Sequence, residues 1–486
     1  MQTVSCPSCG APVEFRSHAS VMAVCGYCRA AVIKDADAVK DLGKISAVLE
    51  DFSPIQIGTA GRHGDRGFTV VGRIQLRYEQ GMWNEWYLLF DDGSGAWLGD
   101  SSGLYTITTA REVAPPLPDF HDIVTGQRSQ IGGEQYTASE KREGECIGGE
   151  GELPFRVGDG WAIRVADFRR GSTFLTLDYT DGTTPIVYSG MAMQLPQLKC
   201  QLLRDDEQIK ASAGKYRARL DTLDCPSCGS AIKYVPGAAS NLVCPGCATR
   251  LDASGPQATV LAAGEKVDQM INTLALGASG TIMGSTHTVI GAMVRTDDEG
   301  SEWTEYLVYS ARAGFFWLVE TDEGWSRTTV MPNWPDWSVT SGDTVTLEHQ
   351  TFSKLYDYNA TVRYAAGAFN WRVAAGDVVR VSEFESGQTK LAAERTDAEL
   401  TWSRSTPVAF DQIKAWFGAD VRGSGPAAKG GATSSLLSTQ MKFVWWILGL
   451  NAIPILFAFG DTFILTAAAL IALFYPASYF QNDENA

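Results

Sequence analysis

The sequence predicts a mainly β protein with some α structure, in which two antiparallel β-barrel or β-sandwich domains follow one another along the chain. Three observations lead to this prediction. Eight of the ten cysteines form two identical patterns, a set of tryptophan-centred motifs occurs twice, and the segments between turns alternate apolar with polar residues. Two apolar runs near the C-terminus add a predicted transmembrane helical hairpin.

Composition limits the classes of function that the chain supports. With 486 residues it is too long for one compact core, and about three domains is the ordinary expectation. Its formal net charge is −16. Nucleic-acid backbones select basic surfaces, so this charge argues against a nucleic-acid partner. The N-terminal residues lack a charged segment followed by an apolar one, which predicts that the bulk of the chain stays in the cytoplasm.

The cysteine patterns predict two metal sites. The first consists of Cys6, Cys9, Cys25 and Cys28, and the second of Cys225, Cys228, Cys244 and Cys247. In each, fifteen residues separate two C-x-x-C pairs, a spacing typical of four-cysteine zinc ribbons. One pair can grip an ion from a tight turn, and the second pair completes a tetrahedron. We therefore expect two structural zinc ions.

Other uses of these cysteines fit the patterns less well. Disulfide bonds are disfavoured in a chain without an export signal. A thioredoxin-type redox pair needs one C-x-x-C beside a βαβ pattern, not four in matched pairs. Iron in a rubredoxin-like site is the alternative to zinc, because either metal accepts four thiolates. Four protein ligands leave no open position for a substrate, so we do not expect a catalytic zinc.

A duplication follows the two cysteine patterns. The motif Trp83-Asn-Glu85-Trp86 matches Trp303-Thr-Glu305-Tyr306, and Trp97-Leu98 matches Trp317-Leu318. Around these motifs, short runs such as 73–79 place apolar side chains on one face and polar ones on the other. Many such runs with Gly-bearing turns predict antiparallel barrels or sandwiches, not a βαβ array.

Each cysteine pattern leads into a predicted helix. Apolar residues recur at about helical spacing at Val39, Leu42, Ile45 and Leu49 in the first copy and at Val267, Met270, Ile271 and Leu274 in the second. A charged run at 204–210 predicts a helix that connects the copies.

The chain thus divides into seven predicted segments. They are zinc ribbon 1 (1–34), a helix and β-rich module copy 1 (35–198), a helical connector (199–221), zinc ribbon 2 (222–252), a helix and β-rich module copy 2 (253–420), a flexible linker (421–441) and a transmembrane hairpin (442–480).

The apolar runs Phe443–Phe459 and Phe463–Phe480 predict the membrane anchor. As helices they would span about 25 Å and about 27 Å, close to the ~30 Å hydrocarbon core. Asp461 falls between them, where a hairpin turn would keep its carboxylate at the interface. Lys429 and Lys442 precede the runs and place the rest of the chain on the cytoplasmic side. A buried soluble hairpin or a re-entrant segment is the alternative.

Support for catalysis is weak. The segment Gly99-Asp-Ser101-Ser-Gly103 has the G-x-S-x-G form of a nucleophile elbow, but it lies between two strand-like runs instead of before a helix. The five histidines are scattered, and none forms an H-x-x-x-H pair. We therefore predict no catalytic residue, and a hairpin turn at Ser101.

The duplicated motifs supply a candidate binding surface. Its members are Trp83, Glu85, Trp86, Glu152, Trp303 and Glu305. Glu85 and Glu305 recur at the same place in both copies beside aromatic residues, where a carboxylate could serve a binding groove. The alternative is that each is an outward-facing residue of its strand.

The W-x-E-[WY] motif and the segment Gly151-Glu-Leu-Pro-Phe155 together resemble a bacterial family known as domain of unknown function 4178. The resemblance covers about residues 50–195 and 270–405. Copy two departs from it, with Gly367-Ala-Phe-Asn-Trp371 in place of Gly-Glu-Leu-Pro-Phe, so a binding role of this turn would be confined to copy one. The family implies no catalytic residues. It implies a bacterial, membrane-associated setting and, more loosely, neighbouring genes for envelope stress or polyamine metabolism.

Three functions are compatible with these features. The first is an adaptor or sensor at the cytoplasmic face of the bacterial inner membrane, which binds a membrane-associated protein partner through the duplicated modules. The second is a small-ligand-binding or enzymatic module with a cleft in copy one near Glu85 and Glu152. The third is a regulatory subunit of a membrane channel or transporter. The closed metal sites and the missing catalytic constellation favour the first.

Overall fold

A computed structural model describes the chain in stretches: residues 2–16, 20–28, 30–35, 38–44, 53–79, 81–101, 103–157, 160–205, 209, 223–232, 241–252, 259–262, 273–310, 313–369, 371–418 and 421. The named elements within these stretches are thirty β-strands, two short 3-10 turns and one α-helix. The predicted class, mainly β with two tandem β-sheet domains that each follow a four-cysteine cluster, is confirmed.

The described residues of the first half of the chain contain fifteen strands. Those around the first cysteine cluster are β1 (Gln2–Ser5), β2 (Pro12–Phe15), β3 (Met22–Val24), β4 (Ala30–Asp35) and β5 (Ala38–Lys44). Those of the first β-domain are β6 (Ala60–His63), β7 (Arg66–Tyr78), β8 (Gly81–Phe90), β9 (Gly95–Ser101), β10 (Leu104–Arg111), β11 (Arg128–Ile131), β12 (Glu134–Leu153), β13 (Trp161–Arg170), β14 (Thr173–Asp178) and β15 (Ile186–Gln194).

Each strand of the second half corresponds to the strand fifteen places earlier. Those around the second cysteine cluster are β16 (Leu223–Asp224), β17 (Ala231–Ile232), β18 (Asn241–Val243), β19 (Arg250–Asp252) and β20 (Thr259–Ala262). Those of the second β-domain are β21 (Ser279–Ile282), β22 (Ser285–Thr296), β23 (Glu302–Ser310), β24 (Gly314–Thr321), β25 (Gly324–Val330), β26 (Thr344–Leu347), β27 (Gln350–Phe369), β28 (Val378–Ser386), β29 (Thr389–Arg395) and β30 (Leu400–Val408).

The sheet of each β-domain closes on itself through one long strand. In the first domain β12 pairs with β13 along Thr137–Cys146 and with β7 along Gly144–Gly151. The strands β7, β8, β9, β10, β15, β14, β13 and β12 therefore form a closed antiparallel ring of hydrogen-bonded neighbours. The second domain closes in the same way, because β27 pairs with both β28 and β22. The matching strand order confirms the tandem repeat.

Alternation divides the strands of the ring into an inner and an outer face. On β8, Trp86 and Leu88 point outward, where they pack with Ile55 and Leu198 from the flanking segments. A second outer cluster lies on the opposite strands and contains Phe168 among its fully buried members. The inner faces therefore carry the remaining side chains, and these include charged residues of several strands.

The helix, α1 (Phe410–Phe417), closes the second domain after β30. Ile413 and Phe417 are buried in the outer cluster of that domain, and Gly418 ends the helix at a φ of 57°. This helix was not predicted from the sequence. Its apolar residues at positions 410, 413 and 417 have the spacing of one helical face, which was the available signal.

The helix predicted after the first cysteine cluster is wrong where the structure describes it. Val39 and Leu42 lie in β5, which pairs with β4. The apolar residues at 39–49 are too few to distinguish the period of a helix from that of a strand. Pairing with β4 makes residues 38–44 a strand. The equivalent helix of copy two lies outside the described residues apart from Leu274, which forms a β-bridge with Val421.

The predicted helical connector is described only at its start. Lys199 and Leu202 have positive φ angles, so residues 199–205 do not form a helix. Ile209 is helical, donates its amide to the Asp205 carbonyl and is buried among residues of the second cysteine cluster and the second domain.

The predicted linker and transmembrane hairpin lie outside the described residues, apart from Val421. Within the part of the chain that the structure describes, no helix has the length and apolar character needed to cross a membrane.

Candidate metal centres and buried charge clusters

Tight turns hold the cysteines of each cluster. In the first cluster the hairpin of β1 and β2 carries Cys6 and Cys9, and the amide of Gly10 donates to the carbonyl of Cys6. Gly10 has a φ of 76°, which a side chain would disfavour. The second cluster repeats this turn, with Gly229 donating to Cys225. The knuckle geometry predicted from the C-x-x-C spacing is therefore present in both halves.

The sulfur positions fit one ion in each cluster. The Sγ atoms of Cys6 and Cys28 are 3.6 Å apart, and those of Cys9 and Cys25 are 3.7 Å apart. The corresponding pairs of the second cluster, Cys225–Cys247 and Cys228–Cys244, are both 3.6 Å apart. Four sulfurs at about 2.3 Å from a central ion lie about 3.8 Å from one another in a tetrahedron. A disulfide bond requires about 2.05 Å, and all ten cysteines are free.

Polar groups near the sulfurs favour thiolate at one cysteine of each cluster. Burial of Cys25 opposes ionisation, but the backbone amides of Cys28 and Tyr27 outweigh it and lower the pKa of Cys25 to about 7. The hydroxyl and amide of Ser230 lower the pKa of Cys228 to about 6. Because the thiolate is the ligand form of cysteine, both clusters could hold a metal ion such as zinc.

In each half, the segment around the four cysteines is here called the ribbon, and one of its strands pairs with the long strand of the β-domain and extends that sheet. Strand β3 pairs with the end of β12, where Ala23 faces Glu152. Glu152 is only 4% exposed and accepts a hydrogen bond of 2.9 Å from the Ser20 hydroxyl. This member of the predicted binding surface therefore lies in the joint between ribbon and domain. In copy two β18 takes the place of β3, and the buried Ala368 takes the place of Glu152.

A glycine bends the long strand at this joint in both copies. Gly151 has a φ of 72°, and a Cβ atom there would lie 2.3 Å from the carbonyl oxygen of Val71. Gly367 has a φ of 97°, and its Cβ atom would lie 2.4 Å from the carbonyl oxygen of Ile290. The Gly-Glu-Leu-Pro segment thus starts with a structural glycine that copy two retains, although copy two departs from the rest of the motif.

The tryptophan motifs direct their glutamates into the rings. Trp83 and Glu85 share the inner face of β8, and the indole Nε1 of Trp83 donates to Glu85 over 3.1 Å. Trp303 donates to Glu305 over 2.7 Å in copy two. Trp86 points the other way, is 1% exposed, and has the guanidinium of Arg73 at 4.9 Å from its ring centre.

Charged groups from several strands meet inside the first ring. Arg142 of β12 forms ion pairs with Glu140 of the same strand and, over 3.1 Å, with Asp167 of β13. Its guanidinium also lies 4.5 Å from the ring centre of Trp83 on β8. Only β7 separates β12 from β8 in the ring, so Arg142 and Trp83 meet over β7, on the face of the sheet that also carries Glu85. Tyr78 of β7 completes the cluster by packing edge-on against Trp83.

The second ring contains a similar cluster. Arg295 of β22 forms ion pairs with Glu305 over 3.3 Å and with Glu394 of β29 over 3.2 Å. The ring of Tyr358 packs edge-on against Trp303 with 6.0 Å between ring centres. Arg295 is 6% exposed, so the cluster is closed to bulk water on this side.

The two clusters contain the same residue types, but the strand that supplies the arginine in one copy supplies the tyrosine in the other. Copy one takes its arginine from β12 and its tyrosine from β7. Copy two takes its tyrosine from β27, the equivalent of β12, and its arginine from β22, the equivalent of β7. Both arginines still ion-pair with acidic side chains, and both tyrosines still contact the motif tryptophan. The combination is thus present in both copies although the positions that supply it differ.

Burial makes the carboxylates of the first cluster hard to ionise. It raises the pKa of Glu85 to about 7, with a contribution from Asp167 and Asp178 that the Trp83 hydrogen bond partly offsets. Burial likewise raises the pKa of Glu140 to about 8 against the opposing effect of Arg142. In copy two the pKa of Glu305 is raised by burial against the effect of Arg295. Shifted carboxylates in an enclosed polar interior are typical of functional sites.

Sequence reasoning found some members of these clusters and missed others. It selected Trp83, Glu85, Trp303 and Glu305, and the structure places them together at the inner faces of the two rings. It did not select Arg142, Asp167, Arg295 or Glu394. These residues belong to polar runs whose alternation indicates a face, but not which face is enclosed.

The nucleophile-elbow match has the local structure of a hairpin. Gly99, Asp100 and Ser101 lie in β9, and Gly103 follows with a φ of 88° before β10 begins. Strand is followed by strand, so the strand-turn-helix geometry of an elbow is absent at this segment.

Comparison with known proteins identifies the family of both β-domains. The family model described as domain of unknown function (DUF4178) matches residues 56–194 and 275–410, so the chain belongs to this family and contains two copies of its domain. The four-cysteine clusters lie just before each copy. No curated protein and no solved structure matches the chain.

We predict that Glu85 reduces stability as the pH rises through neutrality. Its pKa is higher in the folded state than in the unfolded chain, so its favourable contribution is complete below about pH 4.3 and is lost as the pH passes through about 7. Glu85→Gln, which cannot ionise, should therefore show a smaller loss of urea midpoint between pH 5 and pH 8 than the wild type.

Glu145 is exposed and lies outside the cluster. The variant Glu145→Gln is therefore the matched control, because it removes a carboxylate without changing the cluster. Equal pH dependence in the Glu85→Gln variant and the wild type would contradict the prediction.

Proposed function

We propose that this chain is a membrane-tethered, zinc-containing bacterial sensor whose β-domains bind a small, positively charged ligand inside their closed rings. The observation that carries the proposal is the cluster of tryptophan, glutamate, arginine and tyrosine in both interiors, assembled from different strands in the two copies. If the clusters served only to fill space, apolar side chains would do so at lower cost, because each buried charge must be taken out of water.

The placement of the candidate residues favours a small ligand over a protein partner. Protein partners are bound by exposed side chains, with aromatic and arginine residues at the centre of the contact. Trp83, Glu85, Trp303 and Glu305 face the ring interiors instead. Trp86 is buried against Arg73, and Glu152 is buried in the ribbon joint. The protein-binding adaptor predicted from the sequence therefore has less support than the alternative of a ligand site.

The charge balance of the first interior favours a cation. Arg142 is ion-paired with Glu140 and Asp167, and Arg169 adds a second positive charge near Asp167. Three carboxylates thus face two guanidinium groups, and burial raises the pKa values of Glu85, Glu140 and Asp167. A cationic ligand would compensate the carboxylates, and the aromatic faces of Trp83 and its neighbours would add cation–π attraction. A protonated amine combines both properties.

Ligand binding should stabilise the chain through Glu85. We expect a screen of small amines, polyamines included, to raise the melting temperature of the purified protein by about 5–10 °C at a ligand concentration of about 100 times Kd. Glu85→Gln should remove the response of the first domain, and Glu305→Gln that of the second. Differential scanning fluorimetry measures both.

The control variant Glu145→Gln should show the same ligand-induced rise in melting temperature as the wild type. A flat screen across the amines, or a response that survives in the Glu85→Gln, Glu305→Gln double variant, would rule out this ligand class.

The two cysteine clusters fit structural zinc. All four positions of each tetrahedron are protein thiols, which suits zinc and leaves no position for substrate. When bound, the ion would join the two knuckles of each ribbon and fix the strand that extends the domain sheet. The energy of metal binding would then be folding energy for the ribbon.

Metal analysis of the full chain should find two zinc ions. Cys6→Ser and Cys225→Ser should each lower the content to one, because three thiolates hold zinc less well than four and each cluster has its own ion. Cys200→Ser, outside both clusters, should leave it at two. Inductively coupled plasma mass spectrometry gives the count, and iron in place of zinc would support the rubredoxin-like alternative.

The proposed tether is the pair of apolar runs between 442 and 480. Full-length protein should fractionate with membranes after carbonate washing, and a variant that ends at residue 423 should not, because the runs are long enough to enter the hydrocarbon core. Lysine labelling of intact spheroplasts should leave the β-domains unmodified if they lie on the cytoplasmic side. A membrane-bound truncated variant would contradict the assignment of the anchor.

A further inference from the structure

The two β-domains contact each other through a set of hydrogen bonds between the copies. Three are backbone bonds: Lys141 donates to Ala398, Trp334 to Gly171 and Val339 to Gly126, over 3.0–3.1 Å. Side chains add the Thr137 hydroxyl on the Trp337 carbonyl, the Thr125 hydroxyl on the Thr396 carbonyl and the ion pair of Arg128 with Asp336. This contact fixes how one domain stands against the other.

A pair of glutamates lies within this contact. Glu140 of β12 and Glu399 of copy two are partners in an antiparallel β-bridge. Side chains opposite each other in such a bridge have their Cβ atoms about 4.5–5.5 Å apart, and like charges there repel. The position is also shielded from solvent, since the Glu140 side chain is 17% exposed.

The groups that face Glu140 do not neutralise this pair. Arg142 on the same strand supplies one positive charge, which it shares between Glu140 and Asp167. Tyr78 of β7 is neutral at physiological pH, since burial raises its pKa further. The Lys141 ammonium lies elsewhere, at the carbonyl oxygens of His121 and Ile123.

Glu399 itself accepts a hydrogen bond of 2.8 Å from the Thr401 hydroxyl, which carries no charge. Arg169 on β13 adds a second positive charge near Asp167. Three carboxylates, those of Glu140, Asp167 and Glu399, therefore stand against two guanidinium groups. Complete ionisation would leave an excess of negative charge at the contact between the domains.

We propose that a proton held by the Glu140–Glu399 pair fastens the two β-domains together, and that release of this proton to water at alkaline pH loosens the contact. The device uses Glu140, which also belongs to the proposed ligand site of the first domain, and it is independent of the metal clusters. It makes the arrangement of the copies, and not their folding, the property that responds to pH.

The electrostatics give the direction and range of the response. Burial raises the pKa of Glu140 to about 8, and Glu399 and Asp167 add to the shift while Arg142 opposes it. Separation of the domains would expose Glu140 to water and remove Glu399 from its side, which lowers the pKa. The docked state thus binds the proton more tightly, so docking is favoured at low pH and is lost as the pH rises through about 8.

The test is amide hydrogen exchange of the full-length protein at pH 6 to 9, with Glu140→Gln as the reference at each pH. The intrinsic exchange rate at a given pH is the same in both proteins, so their ratio reports opening of the contact. Peptides that carry the amides of Lys141, Trp334 and Val339 should exchange equally at pH 6. At higher pH the wild type should become faster, by up to about tenfold per pH unit for release of one proton.

The controls separate this effect from general destabilisation. Peptides from strands β8 and β23, which lie away from the contact, should exchange at the same rate in the wild type and in Glu140→Gln at each pH. Glu85→Gln neutralises another buried carboxylate of the same ring that has no partner in copy two, and its contact amides should behave as in the wild type. If Glu140→Gln does not fold, Glu399→Gln removes the repulsion from the other side and should protect the same amides.

Three results would overturn the proposal. The first is a ratio that stays at one up to pH 9, and the second is a Glu85→Gln variant that protects the contact as Glu140→Gln does. The third is protection of the wild type at pH 9 by added Ca²⁺ to the level of Glu140→Gln, which would identify a cation instead of a proton as the neutralising group.

Discussion

The double pairing of one long strand is the constraint on which each half of the molecule depends. Strand β12 is hydrogen-bonded to β13 along its first part and to β7 along its second, and this overlap is what turns an open sheet into a ring. The same strand then bends at Gly151 and receives the ribbon strand β3. Its start, around Glu140, meets the other copy. Ring, ribbon and inter-copy contact are therefore linked by twenty consecutive residues.

Closure has a chemical consequence, because it creates an interior. Side chains that alternate outward contribute to apolar clusters under the flanking segments, while those that alternate inward can meet residues of strands far away in the sheet. In both copies these include charges, which remain stable there only with partners. The indole of the motif tryptophan supplies a hydrogen bond to its glutamate, and an arginine supplies the counter-charge. The raised pKa values show that this compensation is incomplete in the first ring.

Much of the architecture was predictable from local patterns, and the exceptions have physical reasons. The C-x-x-C spacing predicted the metal knuckles because the geometry of a tetrahedral site is local, and the duplicated motifs predicted the tandem domains. Val39 and Leu42 were misassigned because a short apolar spacing fits helix and strand alike until its neighbour is known. Glu152 was assigned to a binding surface from the Gly-Glu-Leu-Pro-Phe segment, whereas β3 pairs with this segment and buries it, a long-range contact that the local sequence does not reveal. Arg142 and Arg295 were missed because ring closure, which brings them to the tryptophans, is a long-range property.

The exchange of arginine and tyrosine between strands places the charged and aromatic groups of the two interiors differently about the motif tryptophan. If both interiors bind the proposed amine, each surrounds it with a different arrangement of these groups. The duplicated domains would then differ in selectivity as well as in affinity. A chain built in this way can report on two related compounds, or on the ratio between them, where two identical sites would only report one concentration twice.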